Sequence, residues 1–302
     1  MLAPMRVSPQ EGSGGRLWPY VAATVVVAGL AAVWLARDPI LSRLSRPYVE
    51  RARAEWEKER AAAAPEEEVA APGGAGELPG ADVWERVTGA PPAWPGDLLA
   101  PPDCADREEI DRALCRAVES VGTRHGVSCG FLVEAAETLA ASPPELSRER
   151  ASAEGLAENA THLFRRLRRR RLEPIRALLD EDPAAAEPLA LLAFRRLQAR
   201  EHCGPRGAET GRAAYAYASF ALESLGGQAY LHRRWPRVAA LASFYAILIV
   251  DEAERQGRNS EGVDLRPHIA RTRALLERLP LTFRDRYLET LDRLASRWPG
   301  GS

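Results

Sequence analysis

Lysine is all but missing. Lys58 is the only one in the 302 residues, which leaves 40 arginines among the 41 Lys and Arg side chains. Clusters of arginine therefore say less here than they would in a balanced composition. Several catalytic signatures are missing too: there is no phosphate-cradling glycine loop, no G-x-S-x-G, no H-E-x-x-H and no dinucleotide fingerprint. These absences exclude the enzymes that need those motifs and no others. No run alternates with period two for long enough to suggest a sheet. No repeat sets a period either. The best internal echo, IRALLDEDP from Ile175 against TRALLERLP from Thr272, is local and isolated. A formal net charge of -1 gives no general attraction to nucleic acid, which is not expected as a partner.

What is present begins with a run that lacks charge altogether. Residues 17–36 (LWPYVAATVVVAGLAAVWLA), closed by Arg16 and Arg37, match the length of about 20 residues that a helix needs to cross a bilayer. A cleaved signal peptide has a shorter apolar stretch and a small-x-small cleavage site, whereas a cut after Ala36 would put Trp34 where a small residue is wanted. The segment therefore reads as a retained single-pass anchor, with the lipid bilayer as its partner. Trp18, Tyr20 and Trp34 sit at its ends, where aromatic rings with a polar edge prefer the interface. Thr24, Ala28 and Ala32 form a row of small residues along which a second copy can pack, so a homodimer is one expectation.

Two signals disagree about which side the rest of the chain occupies. Arg37, Arg43, Arg46, Arg51 and Arg53 follow the span, and the positive-inside rule alone would leave the C-terminal part in the cytoplasm. The four cysteines, Cys104, Cys115, Cys129 and Cys203, all lie beyond the anchor, and an even number suits two disulfides in an oxidising compartment. Three pairings are open to them. Export of everything after a short N-terminal tail is the simpler route. The expectation is an inner-membrane protein whose C-terminal domain is periplasmic.

The chain divides into a tail (1–16), the transmembrane helix (17–36), a charged juxtamembrane helix (37–64), a Pro/Ala/Gly/Glu-rich linker (65–102) and a helical domain (103–302). The linker lacks apolar periodicity and reads as mostly extended. Trp84 and Trp94 interrupt it, either docking its second half on the folded domain or forming a short partner-binding motif. Beyond it, helices are expected near 106–121, 127–141, 145–171, 174–179, 188–200, 208–225, 236–254, 267–279 and 282–298, with a loop at 202–207. Segments 208–225 and 236–254 are apolar around nearly their whole circumference and should form the core. The apolar run 238–250 is too short to span a bilayer. In 145–171, Leu156, Ala160, Leu163, Phe164 and Leu167 recur at helical spacing. The fold class is all-α, an irregular multi-helix bundle, with a short α-solenoid as the alternative.

Candidate chemistry is sparse. His125, Cys129, His202 and Cys203 could assemble a zinc site, but their spacing lacks the close ligand pairs such sites use. Cys129 at a helix entrance beside His125 could be an activated thiolate, although no third orienting group is evident. Glu134 and Glu137 share a helical face, and paired carboxylates serve as acid and base in glycoside cleavage. The basic run Arg165, Arg166, Arg168, Arg169, Arg170 and Arg171 is the most conspicuous local charge. It reads either as a solvated face paired with nearby glutamates or as a band for an anionic partner. No catalytic residue, metal or cofactor is assigned. The expected role is a non-catalytic scaffold or protein-interaction module of a bacterial envelope complex. Two alternatives stand beside it: a peptidoglycan hydrolase using Glu134 and Glu137, and a cytoplasmic-side adaptor binding through the arginines.

Overall fold

Proline and glycine punctuate the chain beyond residue 80, and the stretches between them form helices whose ends follow local capping chemistry. The structure, a computed structural model, describes residues 80–224, 227 and 235–298. The expected tail, transmembrane helix, juxtamembrane helix and the linker as far as residue 79 lie outside the described residues, as does the row Thr24, Ala28 and Ala32. Among the described residues there are ten α-helices and no strand. They are α1 (Ala81–Thr88), α2 (Arg107–Gly122), α3 (Cys129–Ala140), α4 (Leu146–Ala151), α5 (Ala153–Glu181), α6 (Ala186–Cys203), α7 (Gly207–Glu223), α8 (Pro236–Arg255), α9 (Leu265–Leu276) and α10 (Arg284–Arg297). No helix among them is long and apolar enough to cross a membrane.

Side chains that accept from the first free N–H groups start several of these elements. Ser128 Oγ accepts from Phe131 N at 3.2 Å, Ser152 Oγ from Gly155 N at 3.0 Å, and Asp264 Oδ1 from Arg266 N at 3.1 Å. Asp103 caps a 3-10 turn that leads into α2, accepting from Ala105 N at 2.9 Å. The start of α10 has no such residue of its own. Its donors Thr282 N and Phe283 N instead meet the carboxylate of Glu187 on α6, at 2.8 and 3.0 Å. Glu187 is 3% exposed, and this burial pushes its carboxyl above the usual range, against the pull of the two N–H donors.

The core forms where the two all-round apolar segments meet. α7 packs along α8, which also contacts α6 and α9, while α9 packs on α10. Phe244, Ile247, Leu276, Tyr287, Leu291 and Leu294 are fully buried in one cluster. Helix α6 faces this cluster on one side and α2 on the other. The architecture is a helical bundle.

The second half of the expected linker is structured. Ala81–Thr88 is a helix, Trp84 is 5% exposed in the main core, and Leu98 is buried beside it. Trp94 is half-buried, with its ring edge-on to Phe283 and Tyr287 at 5.3 Å. The strap is also held by polar contacts. Leu98 O accepts from Gln198 Nε2 at 2.9 Å, Ala100 O accepts from Arg195 at 3.2 Å, and Asp97 pairs with Arg293 at 2.9 Å. Two indoles and a leucine offset the ordering entropy that the rest of this composition could not.

Two further expectations need correction. Helix α6 runs on to Cys203, which shortens the loop expected at 202–207. The segment 145–171 followed by 174–179 is in fact the short α4 and the long α5, and Pro174 lies inside α5. A proline there removes the N–H that would bond Arg170 O. The interruption falls six residues earlier, at Arg168, whose φ of 56° and ψ of 165° break the helix.

Candidate interaction surface

All four cysteines are consumed by two disulfides. Cys104 pairs with Cys203 (Cα–Cα 5.5 Å) and Cys115 with Cys129 (Cα–Cα 4.9 Å). The first joins the 3-10 turn that leads into α2 to the last residue of α6, and the second ties α2 to the first residue of α3. Neither the zinc site through Cys129 and Cys203 nor the Cys129 thiolate survives, because a disulfide sulfur offers no thiolate. Among the described residues no three His, Cys, Asp or Glu side chains gather to hold a metal ion.

Helix α5 carries the basic run, and its two halves are positioned differently. Ser152 caps its start, and Gly155 lies so close to α4 that a Cβ there would sit 2.3 Å from Arg148 O. Buried Asn159 donates to Glu149 Oε2 at 2.8 Å. One turn on, His162 is 4% exposed and its Nε2 lies 2.8 Å from the Tyr217 hydroxyl, which donates onward to Leu139 O at 3.2 Å. Burial lowers the His162 pKa, with the Arg166 charge acting in the same direction. Leu167 is buried, and Arg168 then turns the chain with a positive φ. For a residue with a Cβ such a backbone costs about 1–3 kcal/mol and persists only where its surroundings enforce it.

The six arginines separate into two groups at this point. Arg171 reaches across to Glu134 and to Thr138 Oγ1 on α3, and Arg169 pairs with Glu173 one turn on. Arg165, Arg166, Arg168 and Arg170 are exposed, with no carboxylate partner among the described residues. The acids of α5 are engaged elsewhere: Glu158 with Arg148 at 2.9 Å, and Asp180 with the Trp235 indole at 2.8 Å. The expectation of a face paired with nearby glutamates therefore holds for two of the six. Phe164 and Leu156, two of the apolar residues recurring at helical spacing, are 52% and 37% exposed. They are the exposed large hydrophobic side chains among the described residues. Helical spacing identified their helix, but the face that α5 buries is set by Gly155, Asn159 and His162.

Two concave regions complete the surface. Glu134 and Glu137 line an open groove of about 580 Å³ against the Cys115–Cys129 disulfide. Both are exposed, stand on one helix, and Glu134 is taken by Arg171. A cleft of about 420 Å³ lies between α6, α7, α8 and the strap, with Leu98, Phe194, Leu197 and Ile249 among its apolar lining. Its carboxylates are paired with guanidinium groups of the cleft or of α10. Glu201 accepts from Arg258 at 2.5 Å, Arg255 meets Glu252, and buried Asp251 accepts from Arg297 at 2.8 Å and from the Trp298 indole at 3.0 Å.

Sequence reasoning missed the kink, Glu187 and the exposure of Phe164. Thr282 is itself a residue type that caps helices, so nothing in the sequence pointed to an acid from another helix. Nothing in a run of arginines marks the one with positive φ. Compared with known proteins, the chain matches no family model, no curated protein and no solved structure.

Proposed function

We propose that the chain is a single-pass, membrane-anchored protein of a bacterial envelope whose helical domain works outside the cytoplasm as a non-catalytic interaction module. The observation that carries this reading is the pairing of every cysteine, since stable disulfides belong to oxidising compartments. Together with the uncharged run at 17–36, it favours export over the arginines that follow the span. The polar groups support binding over catalysis. Carboxylates in the cleft are matched by guanidinium groups, and Glu134 and Glu137 lie one turn apart on the same helix instead of facing each other across a substrate. The apolar lining of the cleft suits a partner protein segment.

A membrane-impermeant thiol reagent applied to cells with a permeabilised outer membrane tests the reading. Labelling that requires reductant, but not rupture of the inner membrane, is the expected result. Free thiols reached only after the inner membrane is broken would reverse the localisation and favour the cytoplasmic adaptor. Purified chain carrying Glu134→Gln and Glu137→Gln tests the hydrolase alternative: wild-type chain that degrades peptidoglycan, beside a double variant that does not, would restore it.

A further inference from the structure

We infer that Glu187 is a pH-sensitive latch, whose buried carboxylate holds the turn on which the strap seats and couples that seating to the uptake of a proton.

Several elements converge on this one side chain. Glu187 Oε2 accepts from Thr282 N at 2.8 Å and Oε1 from Phe283 N at 3.0 Å. The same two residues carry the strap and the helix before it. The Phe283 ring meets Trp84 at 4.9 Å and Trp94 at 5.3 Å, and Trp94 also meets Tyr287 at 5.3 Å. Gly80, at the start of α1, lies so close to Thr282 that a Cβ there would sit 3.1 Å from its Oγ1. Any movement of the 282–283 turn therefore moves the floor beneath both indoles.

The carboxylate has little beside it to offset its charge. It is 3% exposed, and no guanidinium or imidazole pairs with it among the described residues. Arg237 of α8 attracts it from a distance while donating to Pro280 O at 3.0 Å. The other groups that face it are the Thr282 hydroxyl, Tyr287 on α10 and Tyr245 on α8. Burial pushes both phenols up, so neither titrates with the carboxyl. Arg86 of α1 is held by Asp182 at 2.7 Å. Ionised Glu187 regains water only when the turn opens, whereas the neutral form has less to regain. Desolvation outweighs the N–H donors and raises its carboxyl from the ordinary value of 4.5. The closed turn therefore binds the proton more tightly than the open one. Acidification towards 4.5 tightens the latch, and rising pH loosens it.

The test follows amide hydrogen exchange of the full chain in detergent micelles between pH 7 and pH 5, corrected for the pH dependence of the intrinsic rate. Protection of Thr282, Phe283 and the amides of 81–101 should rise as pH falls, by at most about tenfold per pH unit, the limit for one proton. Glu187→Gln, neutral and of similar shape, should be flat over this range and already protected at pH 7. It also separates the latch from His162, whose lowered pKa acts in the opposite direction. Coupling is reciprocal, so Trp94→Ala should bring the Glu187 midpoint, read from the shift of its carboxyl carbon, back towards 4.5. Circular dichroism reports whether the variants fold, and the wild-type carboxyl titration needs no variant. Wild-type protection that does not rise on acidification, a Gln variant that follows it, or a wild-type midpoint at or below 4.5 overturns the latch. A midpoint that Trp94→Ala leaves unchanged overturns its link to the strap.

Discussion

Helices α8 and α5 are held in place by different physics. α8 has 20 residues and buries 12 of them, nearly all apolar, among α6, α7 and α9. α5 has 29 residues and buries five, two of which are the polar Asn159 and His162. Dispersion and the hydrophobic effect fix α8 without regard to direction. α5 is located by specific partners: an amide on Glu149, an imidazole on Tyr217, and Arg171 on Glu134. A region secured by a few polar contacts is less stable locally and leaves most of its surface for other molecules. The strain at Arg168 lies in that region and not in the core.

The sharpest test of this contrast compares two phenylalanines. Phe244→Ala should lower unfolding free energy by about 3–5 kcal/mol in denaturant titrations, whereas Phe164→Ala should change it by about 0.5 kcal/mol or less. Equal losses would mean that α5 is part of the core after all. The disulfides come next. Removing Cys104–Cys203, which spans 99 residues, should cost about 4.7 kcal/mol, and removing Cys115–Cys129, which spans 14, about 3 kcal/mol. Paired Cys→Ser variants measured under the same conditions give both values.

A smaller effect is tied to pH. The folded-state pKa of His162 is lowered by burial and Arg166, opposed by Glu158, so the unfolded chain binds a proton first as pH falls. Its contribution is present above the unfolded value of about 6.5 and is lost below it, down through the folded pKa. Thermal melts should show wild type losing stability from pH 7 to pH 5 by more than His162→Gln does. Parallel curves would remove His162 as the cause. The smallest expected effect is a gain: Arg168→Gly should stabilise by about 0.5–1 kcal/mol by relieving the positive φ, and a loss would show that its side chain makes a contact worth more than the strain.

The helices and the core pair were legible because their signals are local. The apolar circumference of 208–225 and 236–254 anticipated α7 and α8 within about two residues, an ordinary uncertainty for helix ends. The arginine surface was legible as charge but not as geometry. Whether Arg169 or Arg170 finds a carboxylate depends on where the chain turns, and that turn carries no proline or glycine at Arg168 itself. The exposure of Phe164 was hidden for a related reason: periodicity marks an amphipathic helix but not which neighbours arrive to cover it.

By itself the sequence determined the helical class, the segment long and apolar enough to span a bilayer, and the even cysteine count, because each follows from composition or from spacing along one element. Tertiary structure alone decided which cysteines meet, that the stretch around Trp84 and Trp94 is a strap, that Glu187 caps a helix 95 residues away, and which arginines meet a carboxylate among the described residues. Those outcomes depend on distances between elements remote in the chain, and such distances are set only when the core packs.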